Sequence, residues 1–217
     1  MLLCEGLNKK MILTDIHCHN APQDGRRFIL NCGLSVPSGV QYASVGIHPW
    51  HISNDWERDM RIVEAAAALP TVKAIGECGI DFAKSSATAD VQETVLHRHI
   101  TLSESAGKPL VLHIVKGQEI VMRMRKELRP LQPWIVHGFR GKPEQARQYI
   151  AAGFFLSFGK RFNTEALLAT PLDRIFLESD EETAPQIEHY TRVADILSLS
   201  IEELAMQIES NCSIFGF

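Results

Sequence analysis

Residues 11–19 read Met-Ile-Leu-Thr-Asp-Ile-His-Cys-His, an apolar run that passes into a carboxylate and two imidazoles. In an extended strand, side chains two residues apart lie on the same face. Asp15, His17 and His19 are therefore expected to point together, as a metal-ligand pair with a neighbouring acid would. The other interpretation is a histidine-rich strand end that binds nothing. The two interpretations can be distinguished, because a metal site requires potential ligands at the ends of other strands as well.

Potential ligands do follow further apolar runs. We predict eight strands, over residues 11–17, 28–32, 42–47, 72–78, 110–114, 134–138, 154–157 and 174–178. The polar side chains at or just beyond the ends of these runs include His48, Glu77, His113, His137, Glu178 and Asp180. Parallel α/β barrels carry their active sites at the carboxyl ends of their strands. The pattern therefore indicates an active site rather than scattered core histidines.

Helical segments separate most of the predicted strands. A capping box of Asp90 and Glu93 is expected to begin the helix that reaches residue 106, and one of Ser200 and Glu203 to begin the last helix. Strands that alternate with helices in this way favour a (β/α)8 TIM barrel. An open, doubly wound sheet is the alternative, but no Gly-x-Gly-x-x-Gly follows the first strand.

The loops after the first two strands are too short for full helices. Only residues 19–27 and 35–41 are available there, whereas a crossover between parallel strands usually takes about a dozen residues or more. We therefore expect the first two outer helices to be shortened or missing. The outer faces of the first strands would then lack cover. We expect either the N-terminal extension or a second subunit, in a homodimer, to cover them.

The composition fits one cytoplasmic domain. Of the 217 residues, 45% are hydrophobic, and we divide them into an extension over 1–10 and a single barrel over 11–217. The net charge of −4 indicates no overall attraction to nucleic acid or membrane. We expect neither a signal peptide nor a membrane span, and Met11 is a second candidate start. The five cysteines, with no Cys-x-x-Cys pair, are expected to be reduced.

Seven short motifs occur in a distinctive order. They are Asp15-Ile-His17-Cys-His19, Gly46-Ile-His48-Pro49, Gly76-Glu77-Cys-Gly79-Ile-Asp81, Val111-Leu-His113, His137-Gly-Phe139-Arg-Gly141, Glu178-Ser-Asp180 and Asn211-Cys-Ser-Ile-Phe215. In this order they resemble the TatD family of metal-dependent deoxyribonucleases, within the amidohydrolase-like barrels. The resemblance covers nearly the whole chain from Met11. It is strong because seven motifs agree, although no single one would suffice.

The resemblance implies two divalent metal ions that share the Glu77 carboxylate. The ligands of the first ion would be His17, His19, Glu77 and Asp180. The ligands of the second would be Glu77, His113 and His137. Two such ions can hold the attacking and leaving oxygens of an in-line phosphoryl displacement. This ligand set suits Mg²⁺, Mn²⁺ or Zn²⁺ and does not choose among them.

The resemblance also implies roles for individual side chains. Asp180 would be the general base for a metal-activated water as well as a ligand. His48 would contact the phosphate of the substrate. The alternative is that His48 has only a structural role. Glu178 and Asp81 are expected to orient ligands or to bind an inner loop. Asn211 is expected to tie the C-terminal segment to the barrel.

This sequence departs from the family's pattern after the fifth and sixth strands. The family often has Ser-Arg after the fifth-strand histidine, whereas Lys116 supplies the positive charge here, and Arg140 replaces a small residue. We expect Lys116 and Arg140 to bind an anionic substrate. Ordinary surface charge is the other interpretation. Further positive residues expected on the same face are Lys142, Lys160 and Arg161.

The expected substrate is DNA or a small phosphodiester. A fold alone does not assign a substrate. The expectation of nuclease activity, with exonuclease action favoured, therefore comes from the resemblance. The short loops after the first two strands predict an open mouth on that side. Trp50, Phe82 and Phe139 are the candidates for stacking bases.

Other classes fit parts of the sequence. Histidinol-phosphatase-like barrels also open with Asp-x-His-x-His but usually end with Asp-x-His, whereas Glu181 follows Asp180 here. Amidohydrolases often use a carbamylated lysine where Glu77 stands. A metallo-hydrolase of another small phosphoester or amide is one alternative. An inactive barrel that acts as a binding or scaffold protein is another, but all six predicted ligands are present, which argues against it.

Overall fold

The computed structural model describes residues 11–217, which form one sheet of eight parallel strands in chain order. The strands are β1 Thr14–Cys18, β2 Arg27–Asn31, β3 Ala43–Val45, β4 Val72–Asp81, β5 Leu110–Val115, β6 Trp134–Val136, β7 Phe155–Phe158 and β8 Ile175–Leu177. The backbone of Asp180 pairs with that of Cys18, and the N–H of His19 donates to the carbonyl of Asp180 at 2.8 Å. The last strand therefore returns to the first, and the predicted TIM barrel is confirmed.

The helices lie outside the barrel. They are α1 Trp56–Ala67, α2 Ala89–Ala106, α3 Gln118–Leu128, α4 Pro143–Ala151, α5 Thr164–Leu168, α6 Gln186–Leu197 and α7 Ile201–Asn211. Within residues 11–217, no helix joins β1 to β2 or β2 to β3, as the short loops predict. None of the helices in this part of the chain is both long and apolar enough to cross a bilayer.

Local capping chemistry explains where several helices begin. The hydroxyl of Ser200 accepts from the N–H of Glu203, and the Glu203 carboxylate accepts from the N–H of Ser200, so the predicted capping box is present. The predicted box of Asp90 and Glu93 is wrong. The hydroxyl of Thr88 caps α2 instead, which places Asp90 within the first turn, where a carboxylate is favourable beside the N-terminus.

The missing helices leave β2 less covered than its neighbours. Of its five residues only Ile29 is fully buried, and Phe28 and Leu30 are half-buried. The ring of Phe217 stacks on Tyr42, with ring centroids 4.6 Å apart, so the C-terminal end packs against the start of β3. The expected cover by residues 1–10 falls on residues that lie outside the described part of the chain.

Candidate metal centre

The carboxylate of Glu77 lies at the centre of the site, with its side chain 3% exposed. Its Oε1 atom is 2.7 Å from Nε2 of His137 and 3.0 Å from Nδ1 of His113. Its Oε2 atom is 3.4 Å from Nε2 of both His17 and His19. Each carboxylate oxygen therefore faces the imidazoles of two predicted ligands, as expected of a carboxylate that bridges two ions.

Asp180 completes the side of the site that contains His17 and His19. Its Oδ1 atom lies 3.4 Å from Nε2 of His19 and 4.0 Å from Nε2 of His17. Asp180 has a φ of 57°, a left-handed conformation that aspartate tolerates better than most residues. The pairing with Cys18 holds this turn in place. The structure thus brings all six predicted ligands together at the carboxyl ends of the strands.

Two carboxylates fix which nitrogen of each ligand histidine faces Glu77. Nε2 of His113 lies 3.0 Å from Asp81, and Nδ1 of His137 lies 3.3 Å from Glu178. A carboxylate accepts a hydrogen bond, so in a ring whose other nitrogen binds a metal ion, the nitrogen beside Asp81 or Glu178 would carry the proton. Nδ1 of His113 and Nε2 of His137 face Oε1 of Glu77, and in the neutral rings each would offer its lone pair to a metal ion bound there. Asp81 and Glu178 therefore lie where they can orient the imidazoles of two predicted ligands.

His48 has the opposite tautomer. Its Nδ1 accepts a hydrogen bond from the backbone N–H of Trp50 at 3.1 Å, so in the neutral ring the proton is on Nε2. That nitrogen lies 3.2 Å from Oε1 of Glu77. By distance alone, His48, Glu77 and His113 could hold one metal ion together. The tautomer excludes a lone pair at that point. His48 therefore offers a hydrogen-bond donor to the site and not a metal ligand.

The donor set fits divalent ions. His17 is fully buried, and neither of its ring nitrogens has a hydrogen-bond partner among residues 11–217. Buried polar atoms are normally paired, so a metal ion is the partner that this ring needs. Burial acts to raise the pKa of Glu77, but the imidazoles of His137 and His113 more than offset it and hold this pKa well below its usual range. The bridging carboxylate is therefore ionised, as a ligand must be.

Glycines allow the strands to approach closely around Glu77. A Cβ added to Gly79 would lie 2.0 Å from the backbone oxygen of His113, and one added to Gly46 would lie 2.8 Å from that of Glu77. Real Cβ contacts are never this short, so only glycine fits between these backbones. The Gly46 and Gly79 positions of the motifs are thus explained by packing of β4 against its neighbours.

Asp15 does not reach the metal position, although it shares a strand face with His17. It precedes His17 by two residues and lies deeper in the barrel, where it is fully buried. Its carboxylate accepts from the backbone N–H groups of His17 and Ser179, from the Ser179 hydroxyl at 2.6 Å and from Arg26 at 3.0 Å. Burial raises its pKa to about 6, although Ser179 and Arg26 act to lower it. Asp15 therefore fixes the backbone beside two predicted ligands, His17 and Asp180.

Arg26 is a site residue that sequence reasoning missed. Its side chain is 3% exposed and lies in the loop that replaces the first helix. Besides Asp15, it donates to Gln186 at 2.9 Å and to Asp24 at 2.9 Å. These contacts join the β1–β2 loop to the start of α6, just beyond Asp180. No local pattern around Arg26 signals this, because its burial depends on distant segments.

Asn31 was also missed, although a signal for it exists. Its Nδ2 donates to Oε2 of Glu77 at 3.1 Å. Asn31 is the last residue of β2, so it follows an apolar run in the same way as the predicted ligands do. The rule that found His113 and His137 would have found it.

A cleft of about 1390 Å³ opens above the metal centre. Lys116 and Arg140 line it and are exposed, as expected of substrate-binding groups. Lys142, Lys160 and Arg161 are not among its lining residues, so the expected cluster is smaller than predicted. Acidic residues lie on the same walls, namely Asp59, Glu119 and Glu181. Positive side chains therefore cover only part of the cleft wall.

The fold and the site together define a class. A parallel eight-stranded barrel with a cluster of histidines and carboxylates at the carboxyl ends of its strands is the arrangement of a metal-dependent hydrolase. The family model described as TatD related DNase matches residues 34–215. The chain belongs to this family, which confirms the resemblance. The matched range begins after β2 and does not include His17 and His19, which the structure places beside Glu77.

Similar proteins support this placement. The "Uncharacterized metal-dependent hydrolase YabD" of Bacillus subtilis is 26% identical over 185 residues, covering 76% of this chain and 72% of that protein. The "3'-5' ssDNA/RNA exonuclease TatD" of Rahnella sp. is 30% identical over 151 residues, covering 64% of this chain. The match spans 56% of that relative's length, little more than half.

The fold has solved counterparts. The crystal structure of YjjV, a TatD homologue from Escherichia coli, superposes with a TM-score of 0.79 at 19% identity, covering 94% of this chain and 97% of the other. A hydrolase of the TatD family from Entamoeba histolytica gives a TM-score of 0.73 at 14% identity, covering 93% and 96%. At these low sequence identities, the structural similarity supports the fold alone.

Proposed function

We propose that this chain is a two-metal-dependent hydrolase of phosphodiester bonds that removes nucleotides from the ends of DNA strands. The observation that carries the proposal is the placement of Glu77. One of its oxygens faces His17 and His19, and the other faces His113 and His137. A single carboxylate between two imidazole pairs suits two neighbouring cations better than one.

The residues divide naturally between two ions. On the Oε2 side of Glu77, one ion would be held by His17, His19 and Asp180. On the Oε1 side, the other would be held by His113 and His137. When bound, the two ions would supply positive charge against the phosphate oxygens and would acidify a water molecule. Mixed imidazole and carboxylate ligands suit Mn²⁺ or Zn²⁺, and Mg²⁺ remains compatible through Glu77 and Asp180.

Three kinds of side chain would act on the substrate directly. The Nε2–H of His48 donates a hydrogen bond to a phosphate oxygen. The Asp180 carboxylate, 29% exposed toward the cleft, accepts a proton from the attacking water. Lys116 and Arg140 bind phosphates on either side of the scissile one, with Arg140 able to form two parallel hydrogen bonds.

The proposal of an exonuclease is supported by the relatives whose printed names state that activity on single-stranded DNA and RNA. Because this chain spans little more than half of those relatives, their substrates are carried over here only as part of the proposal. An open cleft lined by local positive charge suits a single strand with a free end.

Cleavage assays with a matched pair of variants test the proposal. End-labelled single-stranded DNA and a small chromogenic phosphodiester are incubated with wild type, Asp180→Asn and Asp173→Asn, each with Mg²⁺, Mn²⁺ or Zn²⁺. Asp173 is exposed and remote from the cleft, so its variant keeps full activity. Asp180→Asn is expected to lower the rate on DNA about 100-fold or more.

Each other outcome assigns a different function. Turnover of the small ester alone would keep the hydrolase and reject the polymer substrate. Cleavage of an amide or another phosphoester alone would move the assignment to that substrate class. Failure with every substrate, together with no bound metal, would indicate a scaffold protein and would contradict the proposal.

Three further expectations belong to the same proposal. We place residues 11–217 in a single barrel domain, with 1–10 as an extension. A homodimer through the half-covered β2, where Phe28 and Leu30 are incompletely buried, is tested by light scattering of the full chain. A cytoplasmic location is supported by the four described cysteines, all of which are free. Fractionation of cells that express the chain checks it.

A further inference from the structure

The wall of the cleft beside His48 carries one exposed indole ring. Trp50 is 41% exposed and lines the cleft. Its ring centroid lies 4.7 Å from that of His48 and 5.8 Å from that of His113. A phosphate that accepts a hydrogen bond from His48 would therefore have its own nucleoside within reach of this ring.

The orientation of the Trp50 ring is fixed. Its indole N–H donates to Oδ2 of Asp81 at 2.6 Å, and the same oxygen accepts from His113 at 3.0 Å. The backbone N–H groups of Ala83 and Lys84 donate to the other oxygen of Asp81, Oδ1, at 2.7 and 2.9 Å. The carboxylate is therefore fixed in place and holds both rings.

The other aromatic candidates do not offer a face to the cleft. Phe82 is 40% exposed but is not among the residues that line the cleft. Phe139 and Tyr149 line it but are 5% and 3% exposed, so their rings are packed in the core. Among residues 11–217, Trp50 is thus the large aromatic side chain that a ligand in the cleft can stack on.

Lys84 lies over the Trp50 ring, with its ammonium 4.4 Å from the ring centroid. Lys84 is exposed, and a cation over an exposed ring gains less free energy than a stacked nucleobase does. An incoming base can therefore replace the lysine. The displaced ammonium would then be free to meet a phosphate of the same strand.

From these contacts we propose that Trp50 forms a base-stacking subsite for the unpaired nucleobase next to the scissile phosphate, with Lys84 binding the adjoining phosphate. The subsite selects single-stranded ends, because a base within a duplex is stacked and paired and has no free face to offer. Stacking tolerates any base, so the subsite imposes little sequence preference. This inference rests on the proposed nuclease function and names the substrate feature that its site recognises.

An abasic substrate tests the subsite directly. Two short deoxyadenosine oligonucleotides are compared, one intact and one with an abasic residue at its 3′ end. For wild type, KM for the intact strand is expected to be about ten-fold lower, with kcat similar. Trp50→Leu removes this difference, and Trp50→Phe keeps most of it. The control Phe82→Leu alters an equally exposed ring outside the cleft and behaves as wild type.

Binding of the same two fluorescently labelled strands, measured by polarisation with Ca²⁺ present and no turnover, separates this inference from the proposed function. If wild type binds the intact strand about ten-fold tighter and Trp50→Leu does not, the subsite stands, even if cleavage fails. If Trp50→Leu weakens both strands equally, or neither, the subsite is refuted, even if the protein cleaves DNA.

Discussion

Replacing Arg26 with methionine tests whether the buried Arg26 contacts stabilise the barrel where its first outer helix is missing. The substitution keeps an apolar stem but removes the guanidinium that contacts Asp15, Gln186 and Asp24. Asp15 is fully buried, so its carboxylate would be left without its charged partner. Removing one member of a buried pair typically costs about 3–5 kcal/mol. We expect the free energy of unfolding to fall by this amount at pH 8.

The assay is urea denaturation followed by circular dichroism, with two companion variants. Arg27→Met changes the next residue, whose ion pair with Glu209 at 2.6 Å is partly exposed, so we expect a loss of about 1 kcal/mol or less. The double variant Asp15→Asn with Arg26→Met removes both charges and should recover much of the loss. A cost for Arg26→Met no larger than for Arg27→Met would refute the reasoning.

The Arg26→Met substitution is also expected to weaken metal binding. Asp15 accepts hydrogen bonds from the backbone beside both His17 and Asp180. Loss of such outer contacts typically weakens metal affinity about 10–100-fold. Calorimetric titration of Mn²⁺ into Arg26→Met should therefore show weaker binding than into Arg27→Met. Equal affinities would show that the Arg26 network supports the fold alone.

Three further predictions concern other parts of the barrel. Burial lowers the pKa of His99 to about 4, so the unfolded chain takes up the proton first. Stability should fall by about 3 kcal/mol as the pH drops from about 6.5 to 4, and His99→Gln should remove this slope in denaturant titrations. Gly79→Ala, whose Cβ would lie 2.0 Å from a carbonyl oxygen, should cost about 3 kcal/mol, against about 1 for Gly107→Ala, whose Cβ would meet no atom of residues 11–217 within 4 Å. Glu77→Gln should abolish metal-induced thermal stabilisation, whereas Glu188→Gln, on the surface, should keep it.

The clustering of the predicted ligands could be foreseen because the burial that makes each strand apolar also makes a polar residue at its end stand out. A strand buried on both faces must be apolar, so a polar residue such as His113 or His137 at its carboxyl end stands out. The strand period of two also placed His17 and His19 on one face correctly. It could not tell that Asp15, on the same face, lies one layer deeper and meets Ser179.

Features that depend on distant segments or on local competition escaped prediction. Arg26 is buried only because β1, the loop after β8 and α6 converge on it. The start of α2 was misassigned because Thr88 and Asp90 are both good caps within one turn, and helix ends are sensitive to such choices. The tautomer of His48 depends on the backbone N–H of Trp50, which a sequence pattern does not position.

Anomalous diffraction from crystals grown with Mn²⁺ tests the central claim most directly. Glu77 faces two imidazole pairs, so wild type should show two peaks, one near Oε1 with His113 and His137 and one near Oε2 with His17 and His19. Both peaks should share the Glu77 carboxylate and should be lost in Glu77→Gln. A single peak, or two peaks that do not share Glu77, would contradict the account.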